Sequence, residues 1–519
     1  MSSVQRTSPT SLRRNALANV FGRGVSALLW VAVTPFALSR LGSERFGVWS
    51  LFFVFGGYVA ALDLGMGGAS SRYIAVAAAR GDWAAVRSVF RRNLRLSLAA
   101  GLVSCTALIL LRDVFIRIFH IPQAIGPEVE RSLWVFAISL LVLALNQAYH
   151  NSIIGLQRLD LSNVFFLVGL AVHTGVLVLG LALGGGLMAA ALAITFGHLV
   201  SGLLAAVAFH RAIGGPPGPT QDASVSWRQL LSYSGAVQAT NTLTVGQLQA
   251  GKLALGILGS LTWVTQLELG FRVANAFWSL PVLFQGAVIP AAARASAEEG
   301  NQELRRMYGW ACRWVFALAG FVLAGLWLAA PPLFALWLGG GHAESVALAR
   351  SLAIAFACAT LAGPATVVAR GGGRPLLETV MFAAALATNV LLSLWWVPRF
   401  GALGTVMALA VSYLLAGLGL IVALHRWLGV RTWEWFSRVA LPRFLLPAVA
   451  AALLWMVARG WPVETRAQAL GVLAVEAVLF VSLAVGLSWS TGDPGVVWAW
   501  IRGEALRAAH AHRAARETR

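Results

Sequence analysis

The sequence is short of charge. Only 11% of its 519 residues are Asp, Glu, Lys or Arg, against about a quarter in a soluble protein. Lysine is nearly missing: among 39 basic residues, Lys252 is the one lysine. The three cysteines, Cys105, Cys312 and Cys358, fall in or beside apolar segments and imply neither a disulfide framework nor a metal site. No GxxxxGK[ST] loop occurs, so a nucleotide-driven motor of that kind is not expected. The longest outer loop, about residues 113–130, carries no acid/base constellation of the sort a polymerase or sugar-lipid transferase needs. No cofactor and no enzymatic activity are expected.

What is present is apolar. Hydrophobic residues make up 58% of the chain and the mean hydropathy is +0.75, which predicts an all-α polytopic membrane protein. Runs long enough to span, about 20 residues each, occur at 15–39, 46–70, 93–116, 131–155, 160–183, 186–209, 229–257, 264–292, 309–330, 344–369, 375–397, 401–425, 442–459 and 467–488. These are expected helices 1 to 14. The first follows Arg6, Arg13 and Arg14, is too long for a signal-peptide core and has no convincing A-x-A cleavage site, so it reads as a retained helix.

The pI near 11.4 raises nucleic acid as a partner, but the arginines form no single basic stripe, so none is expected. They alternate by loop instead. With the N-terminus inside, loop 2–3 (Arg72, Arg80, Arg87, Arg91, Arg92, Arg95), loop 8–9 (Arg294, Arg305, Arg306, Arg313), loop 12–13 (Arg426, Arg431, Arg438, Arg443) and the C-terminal tail all lie in the cytoplasm. The opposite loops are shorter and poorer in arginine. This is the positive-inside bias. It supports fourteen spans with both termini cytoplasmic, and it makes most of these arginines topology signals.

An internal repeat is visible. Gly186, Ala193, Gly202, His210 and Arg211 align with Gly401, Ala408, Gly417, His425 and Arg426 at a constant offset of 215. Leu41-Gly42-Ser43 matches Leu258-Gly259-Ser260 at 217. The unit holds six helices, and an even number preserves orientation, as in the parallel repeats of transporters. The expected organisation is an N-lobe over 1–213, a C-lobe over 214–430 after the linker GGPPGPT, and 431–519 with two further helices and a basic tail.

Three cations interrupt the apolar segments: Arg23, Lys252 and Arg272. A cation at mid-bilayer costs about 2.5–3.5 kcal/mol on insertion scales and marks a candidate site. Arg23 lies between Gly22 and Gly24, which leave room for a ligand or for a close helix neighbour. Arg272 follows Glu268 by four residues, the favoured helical ion-pair order, so Glu268 is expected either to neutralise it or to open from it. Lys252 either contacts substrate or snorkels along its stem. Asp63 reads as a cap, a partner of the basic inner loop, or a coupling group. Asn146, Gln147, His150, Asn151, Gln238, Asn241, Gln247 and Gln249 either face sugar hydroxyls or bond between helices. His173 and His198 read as packed. Glu476 has no partner legible in the sequence.

The opening block, with Asn19 and Arg23, Thr34-Pro35, Leu41-Gly42, Phe46-Gly47-Val48-Trp49-Ser50, Leu62-Asp63-Leu64-Gly65 and Arg72-Tyr73, resembles the multidrug/oligosaccharidyl-lipid/polysaccharide (MOP) exporter superfamily. Within it the chain is similar to the Wzx-type polysaccharide flippases. Lys252-Leu253 with Leu258-Gly259, then Gly371–Arg374, Asn389, Pro398, Gly401 and Gly404, extend the resemblance over residues 12–430. Where that family often has an acid just before the lysine, this chain has Gly251. The resemblance implies two six-helix lobes around a central cavity in the inner membrane. It implies a polyprenyl-diphosphate-linked oligosaccharide as substrate, moved to the outer leaflet by alternating access, with polysaccharide polymerase machinery downstream. Arg23, Arg272, Lys252, Asn241 and Gln147 would then bind substrate, with Glu268 and Asp63 as coupling or ion-pair groups. A cation-coupled multidrug antiporter is the competing reading, and it would favour buried acids over buried cations.

Overall fold

Among the described residues, each of the fourteen apolar runs lies mostly on helix. A computed structural model describes the backbone of residues 9–61, 66–214, 227–298, 300–461, 463 and 465–490. Within these, side chains are described except at 9–25, 27, 28, 61, 66, 227–238, 286–291, 293–298, 300 and 488–490. Among the described residues nine helices are long and apolar enough to cross a membrane.

The helices run α1 (Pro9–Ala61), α2 (Met66–Ala79), α3 (Trp83–Leu110), α4 (Arg112–Ile118), α5 (Gly126–Gly155), α6 (Leu159–Ala182), α7 (Gly186–Ala212) and α8 (Trp227–Leu258). Then come α9 (Leu261–Glu298), α10 (Gly300–Leu338), α11 (Ala343–Gly371), α12 (Pro375–Leu428), α13 (Thr432–Trp435), a π turn over Phe436–Ala440, α14 (Leu441–Ala458) and α15 (Arg466–Ser490). Two of these are pairs of helices in register. α1 breaks at Gly42 (φ 72°, ψ 171°), between expected helices 1 and 2. α12 breaks at Gly401 (φ 57°, ψ −136°), between expected helices 11 and 12. α13 is a short helix outside the fourteen runs, and α4 takes up the end of the third run, where α3 stops at Leu110.

Some positions matched by the repeat share a backbone conformation, while Gly259 does not share the positive φ of Gly42. Gly186 and Gly401, aligned in sequence, both have positive φ, 52° and 57°. The next matched pair is less obvious. Gln157 (φ 62°) and Gly373 (φ 77°) are 216 residues apart and share the left-handed conformation. Each ends a helix in the same way: Arg158 N–H donates to Ile153 O at 3.1 Å, and Arg374 N–H to Ala369 O at 2.8 Å. This six-to-one bond is the Schellman closure, which wants glycine at the left-handed position. Only the second copy has it. Gln157→Gly should therefore stabilise the protein by about 0.5–1 kcal/mol, the left-handed penalty less the entropy glycine costs. A thermal melt in detergent reads this as a higher Tm, and an unchanged or lower Tm would contradict it.

The chain divides into two compact units: 1–268 with 389–405, and 269–388 with 406–519. In the first unit α5, α6 and α7 pack together, α3 lies on α5, and α1 lies on α6 and α8. Lipid offers no hydrophobic drive between helices, so close backbone approach has to supply the packing. α6 and α7 achieve it where a Cβ on Gly169 would meet Gly197 O at 2.6 Å. The loops sort by side as the arginine alternation requires. Arg45 (loop 1–2) bonds Glu128 (loop 3–4) at 2.6 Å, and Glu128 accepts Leu187 N–H, in the first turn after loop 5–6, at 2.8 Å. That carboxylate also sits at the start of α7, where the helix dipole favours an anion. At the other end Arg87 (loop 2–3) donates to Ile213 O (loop 6–7) at 3.0 Å.

In the second unit α10 packs on α11, α14 and α15, and α14 packs on α15. The last two helices thus form a layer against α10. Phe480, Ala450, Ala451 and Leu328 make the buried core of that layer.

Candidate functional site

α8 and α9 form a helical hairpin that turns at Gly259-Ser260. Lys252 lies seven residues before Gly259 and Glu268 nine after it, about 10–14 Å from the turn at 1.5 Å per residue. Residues so placed meet across a hairpin. Lys252 Nζ lies 2.6 Å from Glu268 Oε2, with side chains 6% and 9% exposed. The lone lysine is therefore sealed inside the first unit on the acid that sequence spacing assigned to Arg272, and it does not snorkel.

This pairing also accounts for Gly251. The acid expected beside the lysine in sequence is supplied from the next helix. At position 251 a Cβ would already lie 3.2 Å from the Thr405 Cβ, so a longer side chain there would press on α12. One turn further along α8, Gln247 is fully buried. Asn389 Nδ2 donates to its backbone oxygen at 3.0 Å and to its Oε1 at 3.3 Å. Ser393 Oγ then donates to Asn389 Oδ1 at 3.3 Å. The ion pair joins α8 to α9, and this polar relay ties α8 to the 389–405 stretch of α12.

The remaining site residues divide. Arg272 is half-buried on α9. Asn241 is exposed on α8 and Gln147 half-buried on α5. Arg23 lies on α1, but its side chain is outside the described residues, and so is all of Asp63. The polar face of α5 is largely committed to helix packing. His150 bonds Ser162 and Ser201 at 2.8 Å each, and Asn146 approaches His198 at 3.5 Å. His173 packs on Trp30, with ring centroids 5.2 Å apart.

Sequence reading missed Arg350. It sits on α11, donates from Nε to Trp327 O at 2.8 Å and stacks 4.6 Å from the Trp327 ring. Pro331 explains the bond. A helical N–H at 331 would have satisfied the carbonyl four residues back, that of Trp327, and proline has none. Arg350 is also the cation whose charge reaches Glu476, a buried acid on α15. The proline pair in α10 was the available signal, since its orphaned carbonyls need outside donors.

Residues 25–179 match the MatE family model. No curated protein matches the sequence. Among solved structures, the chain is similar to a MATE multidrug-resistance transporter of the MOP superfamily in its inward-facing conformation (TM-score 0.65, 14% identity, 78% of this chain and 94% of that one). It is similar to a MOP superfamily transporter from Pyrococcus furiosus, described by the reverse polarity of its binding pocket (TM-score 0.60, 17% identity, 80% and 95%). It is also similar to the lipid II flippase MurJ in an inward closed conformation (TM-score 0.67, 11% identity, 92% and 99%). The chain is a multi-pass membrane protein with the fold of the MOP superfamily transporters.

Proposed function

We propose that this protein is a flippase for polyprenyl-diphosphate-linked oligosaccharides, carrying them from the inner to the outer leaflet of the cytoplasmic membrane by alternating access. Both termini would be cytoplasmic, and the product would pass to polysaccharide polymerase machinery. The observation that carries this reading is the charge balance inside the apolar helices. In expected helices 1, 2, 7 and 8, Arg23, Lys252 and Arg272 stand against Asp63 and Glu268, an excess of cation suited to an anionic cargo. Arg23 and Arg272 are the proposed diphosphate contacts, with Lys252 held on Glu268. A guanidinium fork can hold two phosphate oxygens at once. Asn241 and Gln147 are the proposed partners of sugar hydroxyls.

The likeness to a lipid II flippase over 92% of the chain supports this reading, because the two MATE-like matches above stop near 80%. The cation-coupled antiporter remains the second reading. The MatE match over 25–179 and the buried carboxylate of Glu268 favour it. Transport without a nucleotide site must draw on a gradient, on product consumption or on the membrane potential, which is worth about 2.3 kcal/mol per charge at 100 mV.

Proteoliposomes decide between the two. With a fluorescent polyprenyl-diphosphate oligosaccharide in one leaflet, the protein should expose it on the other, and Arg272→Ala should slow this tenfold or more with normal membrane insertion. Absence of flipping, together with cationic-dye transport driven by a Na⁺ or H⁺ gradient, would favour the antiporter.

A further inference from the structure

The arginine-rich loops 8–9 and 12–13 read in sequence as topology signals. In the second unit they converge on one concavity of about 850 Å³, lined by Arg305, Arg313, Arg431, Arg438, Arg443 and Tyr308. Glu434 is the single acid in its wall, and it is paired with Arg431 at 2.8 Å. Arg305, Arg313 and Arg438 make no ion pair with any described residue. Five cations against one anion leave a concentrated positive potential in a space large enough for a small ligand.

The site is built. Its floor is aromatic: Tyr308 is 1% exposed and Trp435 6%, and their rings stack at 6.1 Å with 10° between planes. A hydrogen-bond chain fixes that floor. Tyr308 Oη meets His425 Nε2 at 3.0 Å, and His425 Nδ1 meets Thr432 Oγ1 at 3.0 Å. The rim depends on the π turn, in which Leu441 N–H reaches back five residues to Phe436 O. A π turn takes more residues per turn than an α-helix, so residues five apart lie closer to one face. Arg438 and Arg443 are such a pair, and Arg443 Nη1 donates to Val439 O at 2.9 Å within the turn. At Gly309, also in the wall, a Cβ would meet nothing within 4 Å.

We propose that this pocket binds a phosphate-bearing anion at the inner face of the membrane. Arginine forks match phosphate oxygens, and basic pockets between helices on the cytoplasmic side hold anionic lipid headgroups. The ligand is a phospholipid headgroup of the inner leaflet or a soluble phosphate or diphosphate. The inner location rests on the orientation read from the arginine alternation. The binding itself does not depend on what the protein transports.

The test uses the full-length protein in nanodiscs without any oligosaccharide lipid, so its outcome is independent of flipping. Native mass spectrometry counts phosphatidylglycerol retained from mixed phosphatidylcholine nanodiscs. Thermal melts in pure phosphatidylcholine are run with inorganic pyrophosphate. Preferential retention of phosphatidylglycerol identifies the lipid source, and a Tm rise with pyrophosphate identifies the soluble one. Whichever ligand binds, its affinity should fall about tenfold or more in the Arg305→Gln/Arg313→Gln/Arg438→Gln variant and in Gly309→Leu. The second variant fills the cavity and keeps every charge, so it decides the matter if the first does not fold. Neither ligand binding to the wild type would overturn the proposal. So would undiminished binding to Gly309→Leu, because the anion would then be held by diffuse surface charge and not by the pocket.

Discussion

Lys252→Ala is expected to cost about 3–5 kcal/mol, enough to remove most folded protein from the membrane, because it strands the buried Glu268 carboxylate without its cation. Glu268→Ala should cost as much for the converse reason. The pair lies at 2.6 Å with both side chains under 10% exposed, so neither partner can reach water to recover its hydration. The double variant Lys252→Met/Glu268→Leu should recover near wild-type stability, since apolar replacement of a buried pair is often neutral or stabilising. Thermal unfolding in detergent measures this. The double variant then asks whether the pair moves during transport. If α8 and α9 exchange Glu268 between Lys252 and another cation during the cycle, the refolded double variant inserts normally and fails to flip. Wild-type flipping by the double variant would make the pair purely structural. Single variants as stable as wild type would mean that the two charges are not sealed from water.

What the sequence could disclose follows from the range of each signal. Spans are a matter of local composition, and the described residues of all fourteen runs lie mostly on helices. Loop sides were legible for the same reason. The arginine alternation places loops 1–2, 3–4 and 5–6 together, and Arg45, Glu128 and Leu187 meet there. The glycines that the repeat matches share positive φ at Gly186 and Gly401, though not at Gly42 and Gly259. The Lys252–Glu268 pair was not legible. The i,i+4 rule sees only one helix. The lysine that holds Glu268 is sixteen residues away, across a turn. The basic pocket was missed for a related reason. Charge bias gives the side of the membrane for Arg305, Arg313 and Arg438, but their convergence needs the π turn over Phe436–Ala440.

Arg350 carries the second large expectation, and it separates two roles in one side chain. Arg350→Met should destabilise the protein by about 2–4 kcal/mol, because it removes a charged donor from the carbonyl that Pro331 orphans and also takes away a cation whose charge acts on Glu476. Glu476→Leu should act in the opposite direction. Glu476 is 5% exposed and its Oε2 has no hydrogen-bond partner, so an apolar residue of similar size relieves a buried polar cost and raises the Tm. Combined with Arg350→Met, it should recover only part of the loss, because the Trp327 carbonyl remains without its donor. Arg350→Lys keeps a cation and a donor but not the flat stacking on the Trp327 ring, so it should fall between wild type and Arg350→Met. The decisive measurement is the sign of the Glu476→Leu shift in Tm. A fall would mean that Arg350 needs the carboxylate as much as the carboxylate needs Arg350. α15 would then be held to the second unit by charge as well as by the contacts around Phe480.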